Sequence, residues 1–343
     1  MGLKDDYNNW PLGRQLQVIF IISGFFLTLI LVIITRFQLD WLRDKVINDS
    51  SRVLEDHIIG QMRKLGQFET EYINNEIANH MDQIEKLKYI DQMVHGYNST
   101  YNKCPLNSSN TYLWHDEVSE NKLDYTNSSF YSRFDEDTIE SQILEDTAMN
   151  NIYEKIYNDQ YKSIYQGFKE KEILHTYPAI KVVESDYSPV VREWYYKANS
   201  SSEKIIMEEP YWEESNSQWI ITFSMAMLND SNKVFGVVAV DAIMKNLTTI
   251  ISGKKILEKG FLMIVSSGGT IMNMPKLWYP IDSTIQLRLF DESYTGISET
   301  IWNSIKSSSS GSRHDFFDVN GTEYLMIKHD ITPYKDKSIV GTL

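Results

Sequence analysis

Asp186-Tyr-Ser-Pro-Val-Val-Arg-Glu-Trp-Tyr-Tyr196 is the stretch on which the reading turns. Pro210-Tyr211 follows it, and then the apolar run Val237-Val-Ala-Val-Asp241. Tyr187, Arg192, Trp194, Tyr195, Tyr211 and Asp241 together supply one fixed cation, one fixed anion and an aromatic wall. A guanidinium fork matches a carboxylate through two parallel hydrogen bonds. A carboxylate beside aromatic faces suits an ammonium through charge pairing and cation–π attraction. The set is therefore complementary to a zwitterion.

The pattern around this stretch is that of strands. Ser163 to Phe168 and Glu172 to Tyr177 flank a short turn. Ser217 to Met227 and Lys233 to Val240 are apolar, β-branched runs separated by Asn229-Asp-Ser-Asn232, which predicts an antiparallel pair. A shorter unit follows in similar order: a connecting helix over Ile243 to Leu257, then a hairpin of 260–265 and 270–273 about Ser266-Ser-Gly-Gly269. A helix over Ile297 to Lys306, a flexible loop at Ser307 to Ser312, and closing strands at Glu323 to Lys328 and Ser338 to Gly341 complete it. The repeated order suggests duplication.

Upstream, Val18 to Ile34 carries no charge, and Leu16 and Thr35 extend it to about 20 residues, the hydrocarbon thickness of a bilayer. Arg36-Phe-Gln-Leu-Asp-Trp41 follows instead of a small-residue cleavage site, so the segment reads as an uncleaved anchor. From Phe37 to Val94 there is no proline, and apolar residues recur at helical steps: Leu39, Leu42, Val46, Ile58, Met62, Leu65, Ile73, Ile77, Met81, Ile84 and Leu87. This predicts one long amphipathic helix, with Gly60 or Gly66 as a place where it could break. Its stripe could pack on the chain's own domains or on a second copy. His57, His80 and His95 lack metal-ligand spacing and read as polar helix-face residues. Residues 96–136 are polar with turn signals, and Ile139 to Gln160 resumes helical spacing.

The 343 residues carry a formal net charge of −14, which excludes a nucleic-acid binder relying on a basic surface. Cys104 is the single cysteine, so no internal disulfide holds the fold. P-loop, HExxH, GxSxG and kinase signatures are absent from the sequence, so the chain reads as non-enzymatic and without a cofactor. Lys4 and Arg14 before the anchor are fewer than Arg36, Arg43 and Lys45 after it, which favours a cytosolic long side. Asn-X-Ser/Thr sequons at Asn48, Asn98, Asn107, Asn127, Asn199, Asn229, Asn246 and Asn320 point the other way, since all follow the anchor.

From Tyr165-Gln-Gly-Phe168 through His175-Thr-Tyr-Pro178, Asp186 to Tyr195, Pro210-Tyr211 and Gly236 to Asp241, order and spacing resemble a double Cache (dCache) sensor domain. More narrowly, they resemble its amino-acid-binding subclass, known from bacterial chemoreceptors, sensor kinases and calcium-channel alpha-2-delta subunits. The resemblance implies an α+β fold: a transmembrane helix, a long stalk helix, then two PAS-like Cache modules with antiparallel sheets. It implies boundaries of 1–14 for a cytosolic tail, 15–35 for the transmembrane helix and 36–95 for the stalk. The membrane-distal, ligand-binding module would be 96–250 and the membrane-proximal module 251–343. In the family, the positions matching Arg192, Trp194 and Tyr187 hold the ligand carboxylate, and those matching Asp241, Tyr195 and Tyr211 hold the ammonium. Glu193 stands where the family often has Pro and is expected to point outward. The implied function is an extracellular receptor ectodomain, anchored in the plasma membrane, that binds a free L-amino acid for transmembrane signalling. Homodimerisation through the long helix would fit it. The alternative is an auxiliary subunit of the alpha-2-delta kind, although its Asp-X-Ser-X-Ser loop is missing here. In the family a second membrane helix and a cytosolic output domain commonly follow the last strand.

Overall fold

A computed structural model describes residues 11–96, 112–114, 128–132, 149–180, 186–201, 203–213, 218–244, 255–256, 260–272, 287–332 and 339–340. Contacts divide the chain into residues 1–62 and 63–343.

Helix α1 runs without a break over Leu12–Gly96. Among the described residues it is the one helix long and apolar enough to cross a membrane. Gly60 and Gly66 do not interrupt it. A mid-helix glycine costs roughly 1 kcal/mol against alanine, too little to break a rod of this length. Gly66 has a packing reason to be glycine: a Cβ there would collide with the His329 imidazole.

The main sheet is built from β1 (Tyr112–Trp114), β2 (Ser128–Tyr131), β3 (Tyr161–Phe168), β4 (Leu174–Tyr177), β5 (Ile205–Met207), β6 (Tyr211–Glu213), β7 (Gln218–Leu228) and β8 (Val234–Ile243). Its order is β1-β2-β4-β3-β8-β7-β5, with β6 also on β7. The four central strands are antiparallel, and β1 and β2 pair in parallel. Both lie in the stretch expected to be polar turns, where Asn and Ser hide short strands. Ile339–Val340 was expected to close the second unit; it lies parallel to Ile205–Ile206, at the edge of this sheet.

Alternation along each strand gives the sheet two distinct faces. Ile164, Phe168, Tyr177, Ile221, Phe223, Met225, Val238 and Val240 form one core with Ile73, Ile77, Met81, Ile84 and Leu87 of α1. The helix stripe is thus buried against this sheet over that span. His80, expected on a polar face, is buried there between the Tyr161 and Phe223 rings, and burial lowers its pKa. Behind β3 and β4, Gln166 Nε2 donates to His175 Nδ1 (2.8 Å), and His175 Nε2 reaches Asn150 Oδ1 (2.7 Å). Asn150 opens α2 (Asn150–Ile156), the described part of the helix expected over 139–160. An Asx turn, Gln160 N to Asn158 Oδ1, follows it.

The opposite face carries α3 (Glu193–Ser201): Trp194, Tyr195 and Ala198 pack there on Tyr165, Leu174, Ile206, Val237 and Ala239.

A separate core joins Ile271, Leu287, Leu289, Ile297, Trp302, Ile305 and Phe316. It holds α4 (Glu292–Thr295), α5 (Glu299–Ser307) and the hairpin of β9 (Arg313–Phe317) with β10 (Glu323–Ile327). Lys255–Ile256, expected in a helix, is extended and pairs with Gly260–Phe261; the rest of that expected helix beyond Met244 lies outside the described residues. The serine-rich loop after α5 is pinned rather than loose. Lys328 Nζ donates to Ser308 O (2.6 Å), Gly311 N to Lys328 O (2.7 Å) and Arg63 Nε to Gly311 O (3.1 Å).

Candidate functional site

On the α3 face, three neighbouring strands place polar side chains in one row. Ser163 of β3 pairs with Asp241 of β8, and Asp241 pairs with Thr222 of β7. Directly paired residues point to the same face. Ser163 Oγ donates to Asp241 Oδ2 (2.9 Å), while Tyr165 Oη (2.9 Å) and Thr222 Oγ1 (2.6 Å) donate to Oδ1. A carboxylate has about four acceptor positions, so Oδ2 keeps capacity for another donor. Asp241 is 8% exposed, so that donor would meet a nearly dry charge. Tyr211 is 37% exposed, but its hydroxyl lies among Thr222 and Asp241; burial, then the Asp241 charge, push its pKa up. The same causes, in the same order, raise Tyr165 far above the usual phenol range.

Pro189 fixes the entry to α3 through a short 3-10 turn over Pro189–Val191, and Arg192 N donates back to Pro189 O (3.1 Å). Arg192 then lays its guanidinium over the Tyr187 ring at 4.5 Å, and Tyr187 meets Tyr131 edge-on at 5.7 Å. Trp194 stands edge-on to Tyr165 at 4.9 Å and to Tyr195 at 5.6 Å. Burial pushes the Tyr195 phenol up to about 12. Ser224 Oγ donates to Trp194 O (2.8 Å), tying α3 to β7. Gly167 lets the helix come this close: a Cβ there would stand 2.7 Å from Trp194 Cη2 and 3.1 Å from Pro189 Cβ. Glu193 points outward, 65% exposed, and pairs with Lys197, which also holds Glu208 at 2.7 Å.

Tyr211 and Asp241 therefore meet, and Tyr187 and Arg192 meet. Among the described residues no ion pair joins Arg192 to Asp241; Tyr187, under the Arg192 guanidinium, packs on the same apolar cluster as Trp194 and Tyr165. Sequence reading missed Ser163, Tyr165 and Thr222 as partners of Asp241. The alternation in β3, with Ser163 and Tyr165 two apart, carried part of that signal. Sequon Asn199 lies exposed on α3, Asn229 Oδ1 accepts the amides of Ser231 and Lys233 in a turn, and Asn320 is exposed. Asn48 lies exposed on α1; Asn98, Asn107, Asn127 and Asn246 fall outside the described residues.

A family model, "Methyl-accepting chemotaxis protein-like, first PDC sensor domain", matches residues 110–249. Methyl-accepting chemotaxis protein McpC of Bacillus subtilis is 32% identical over 119 residues, 34% of this chain and 18% of that protein. PscA of Pseudomonas syringae is 27% identical over 151 residues, 42% of this chain and 22% of that protein. The chain thus spans about a fifth of the length of these relatives. Among solved structures, the ligand-binding domain of the Pseudomonas aeruginosa amino acid chemoreceptor PctC superposes with a TM-score of 0.52 at 16% identity, covering 81% of this chain and 95% of that one. The ligand-binding domain of Pseudomonas fluorescens chemoreceptor CtaA gives 0.50 at 15% identity, covering 83% and 91%. Residues 110–249 thus match the PDC (Cache) sensor model of the methyl-accepting chemotaxis protein kind, and the fold is that of chemoreceptor ligand-binding domains.

Proposed function

We propose that this chain is the sensing part of a chemoreceptor and binds a free L-amino acid on the α3 face of its main sheet. One observation carries the reading: Asp241, almost closed to water, is ringed by three hydroxyls with acceptor capacity left over, beside the aromatic wall of Tyr165, Trp194 and Tyr211. An ammonium would complete that shell. Arg192, stacked on Tyr187, would take the ligand carboxylate, with Trp194 and Tyr195 between the two ends. PctC was solved with GABA and CtaA with L-isoleucine, each of which carries both an ammonium and a carboxylate. The match to chemotaxis proteins speaks against the auxiliary-subunit alternative.

In this reading residues 15–35 anchor the chain, with 96–250 as the distal module and 251–343 as the proximal module, both outside the cell, except that Ile339–Val340 of the latter span joins the edge of the distal sheet. Two copies pair through the exposed part of the long helix. No catalysis is assigned to the chain. The test is a thermal-shift screen of the full chain in detergent against the common L-amino acids. Ligand at a hundredfold over Kd stabilises by about 2.7 kcal/mol. Arg192→Ala and Asp241→Ala each weaken binding by roughly 2–5 kcal/mol. A screen in which no amino acid raises Tm refutes the reading.

A further inference from the structure

β3 carries one surplus residue beside Asp241. Tyr161 pairs with Ala242 and Ser163 with Asp241, so Lys162 is the extra residue of a β-bulge. Bulges of this kind re-aim a side chain. The Lys162 ammonium forms an ion pair with the Glu213 carboxylate of β6, and the two side chains are 18% and 16% exposed. Strands β8 and β7 lie between β3 and β6, so the pair reaches across the strands that carry Asp241 and Thr222. Glu213 is two residues from Tyr211 and shares its face, while Trp212 between them packs on Trp219. Burial lowers the pKa of Lys162, and Asp241 is the charge that opposes this effect, which sets the ammonium within its field.

We propose that Lys162 is a tethered cation with two seats, the Glu213 carboxylate that holds it in this structure and the Asp241 carboxylate beside it. Glu213 acts as a positioning residue: by holding Lys162 aside it keeps Asp241 open for a ligand ammonium. The inference rests on the amino-acid reading above and adds the residue pair that sets affinity at its ammonium end. A lysine has the flexible four-carbon stem and compact charge that such an exchange needs.

The two partners have opposite effects, which makes the idea testable. For any L-amino acid that shifts the wild-type Tm, Glu213→Gln lets Lys162 settle on Asp241 and weakens binding by about tenfold. Lys162→Met removes the competitor and tightens binding by about tenfold. The double variant K162M/E213Q, which leaves no unpaired acid at Glu213, also binds more tightly than wild type. A merely structural ion pair would weaken binding in all three, and that outcome overturns the proposal. A ligand-free arm uses acetic anhydride on the full chain in detergent, with acetylation of Lys162 read by mass spectrometry. Lys162 stays protected in E213Q and becomes reactive in E213Q/D241N. Full reactivity in E213Q alone, or protection that persists in the double variant, overturns the two-seat exchange even if no amino acid binds. Silence in the amino-acid screen with the expected acetylation pattern refutes the ligand and leaves the exchange standing.

Discussion

Replacing Asp91 by Asn should change how stability responds to pH. Asp91 lies on α1, fully buried, and among the described residues neither of its carboxyl oxygens has a hydrogen bond of ordinary geometry. Burial holds its carboxyl well above the usual carboxylate range, and the Tyr153 hydroxyl offsets this only in part. The folded state therefore keeps a proton that the unfolded chain gives up at about pH 3.9. The stabilisation is fully present below that value and is lost as pH rises towards the folded pKa. One proton retained corresponds to a slope of up to about 1.4 kcal/mol per pH unit across that window. Asn cannot titrate, so its cost, about 1–3 kcal/mol for an unpaired amide, is independent of pH. Thermal unfolding of the full chain in detergent, followed from pH 4.5 to 8, measures both. Wild type should be the more stable protein at the acid end, and the gap should close as pH rises. Other groups titrate identically in the two proteins and cancel in the difference. Parallel curves would refute the claim that Asp91 is folded as a neutral acid.

Gly167→Ala should destabilise by about 1–3 kcal/mol through overpacking against Trp194 and Pro189, with a change in near-ultraviolet circular dichroism from the moved indole. Met81→Ala, which opens a cavity between α1 and the sheet, should cost about 2–5 kcal/mol in the same unfolding assay. His80 is held neutral by burial, so its stabilising contribution is present above about pH 6.5 and is lost on acidification. His80→Phe should flatten that acid limb. Glu209 Oε1 accepts from Ser267 Oγ (2.8 Å) and Gly268 N (3.1 Å), so Glu209→Ala should speed hydrogen exchange at residues 266–270.

The strands and the long helix were legible because burial writes a period into the sequence. Val237, Ala239 and Asp241 face α3, while Val238 and Val240 face α1. The six candidate site residues were singled out by their spacing, and the structure groups them as Tyr211 with Asp241 and Tyr187 with Arg192. Their partners were not legible, because Ser163, Thr222 and Asp241 meet through strand register, and register depends on residues about 20 to 80 positions apart. Lys162 was hidden for a related reason: a bulge is a miscount between two strands, and neither strand shows it alone. Polarity misled in two places. His80 is a polar residue on the buried side of α1, and the serine-rich turn after α5 is fixed by bonds from Arg63 and Lys328 that lie far away in sequence.

Tyr165 and Gln166 are consecutive, yet one hydroxyl meets Asp241 on the α3 side and the next amide meets His175 on the other. The sheet at this point is a partition a single strand thick. Selection for a new ligand would thus act on the same backbone that seats the long helix, and drift on either side constrains the other. Descendants of this domain should change ligand preference and helix packing together, in paired substitutions one residue apart.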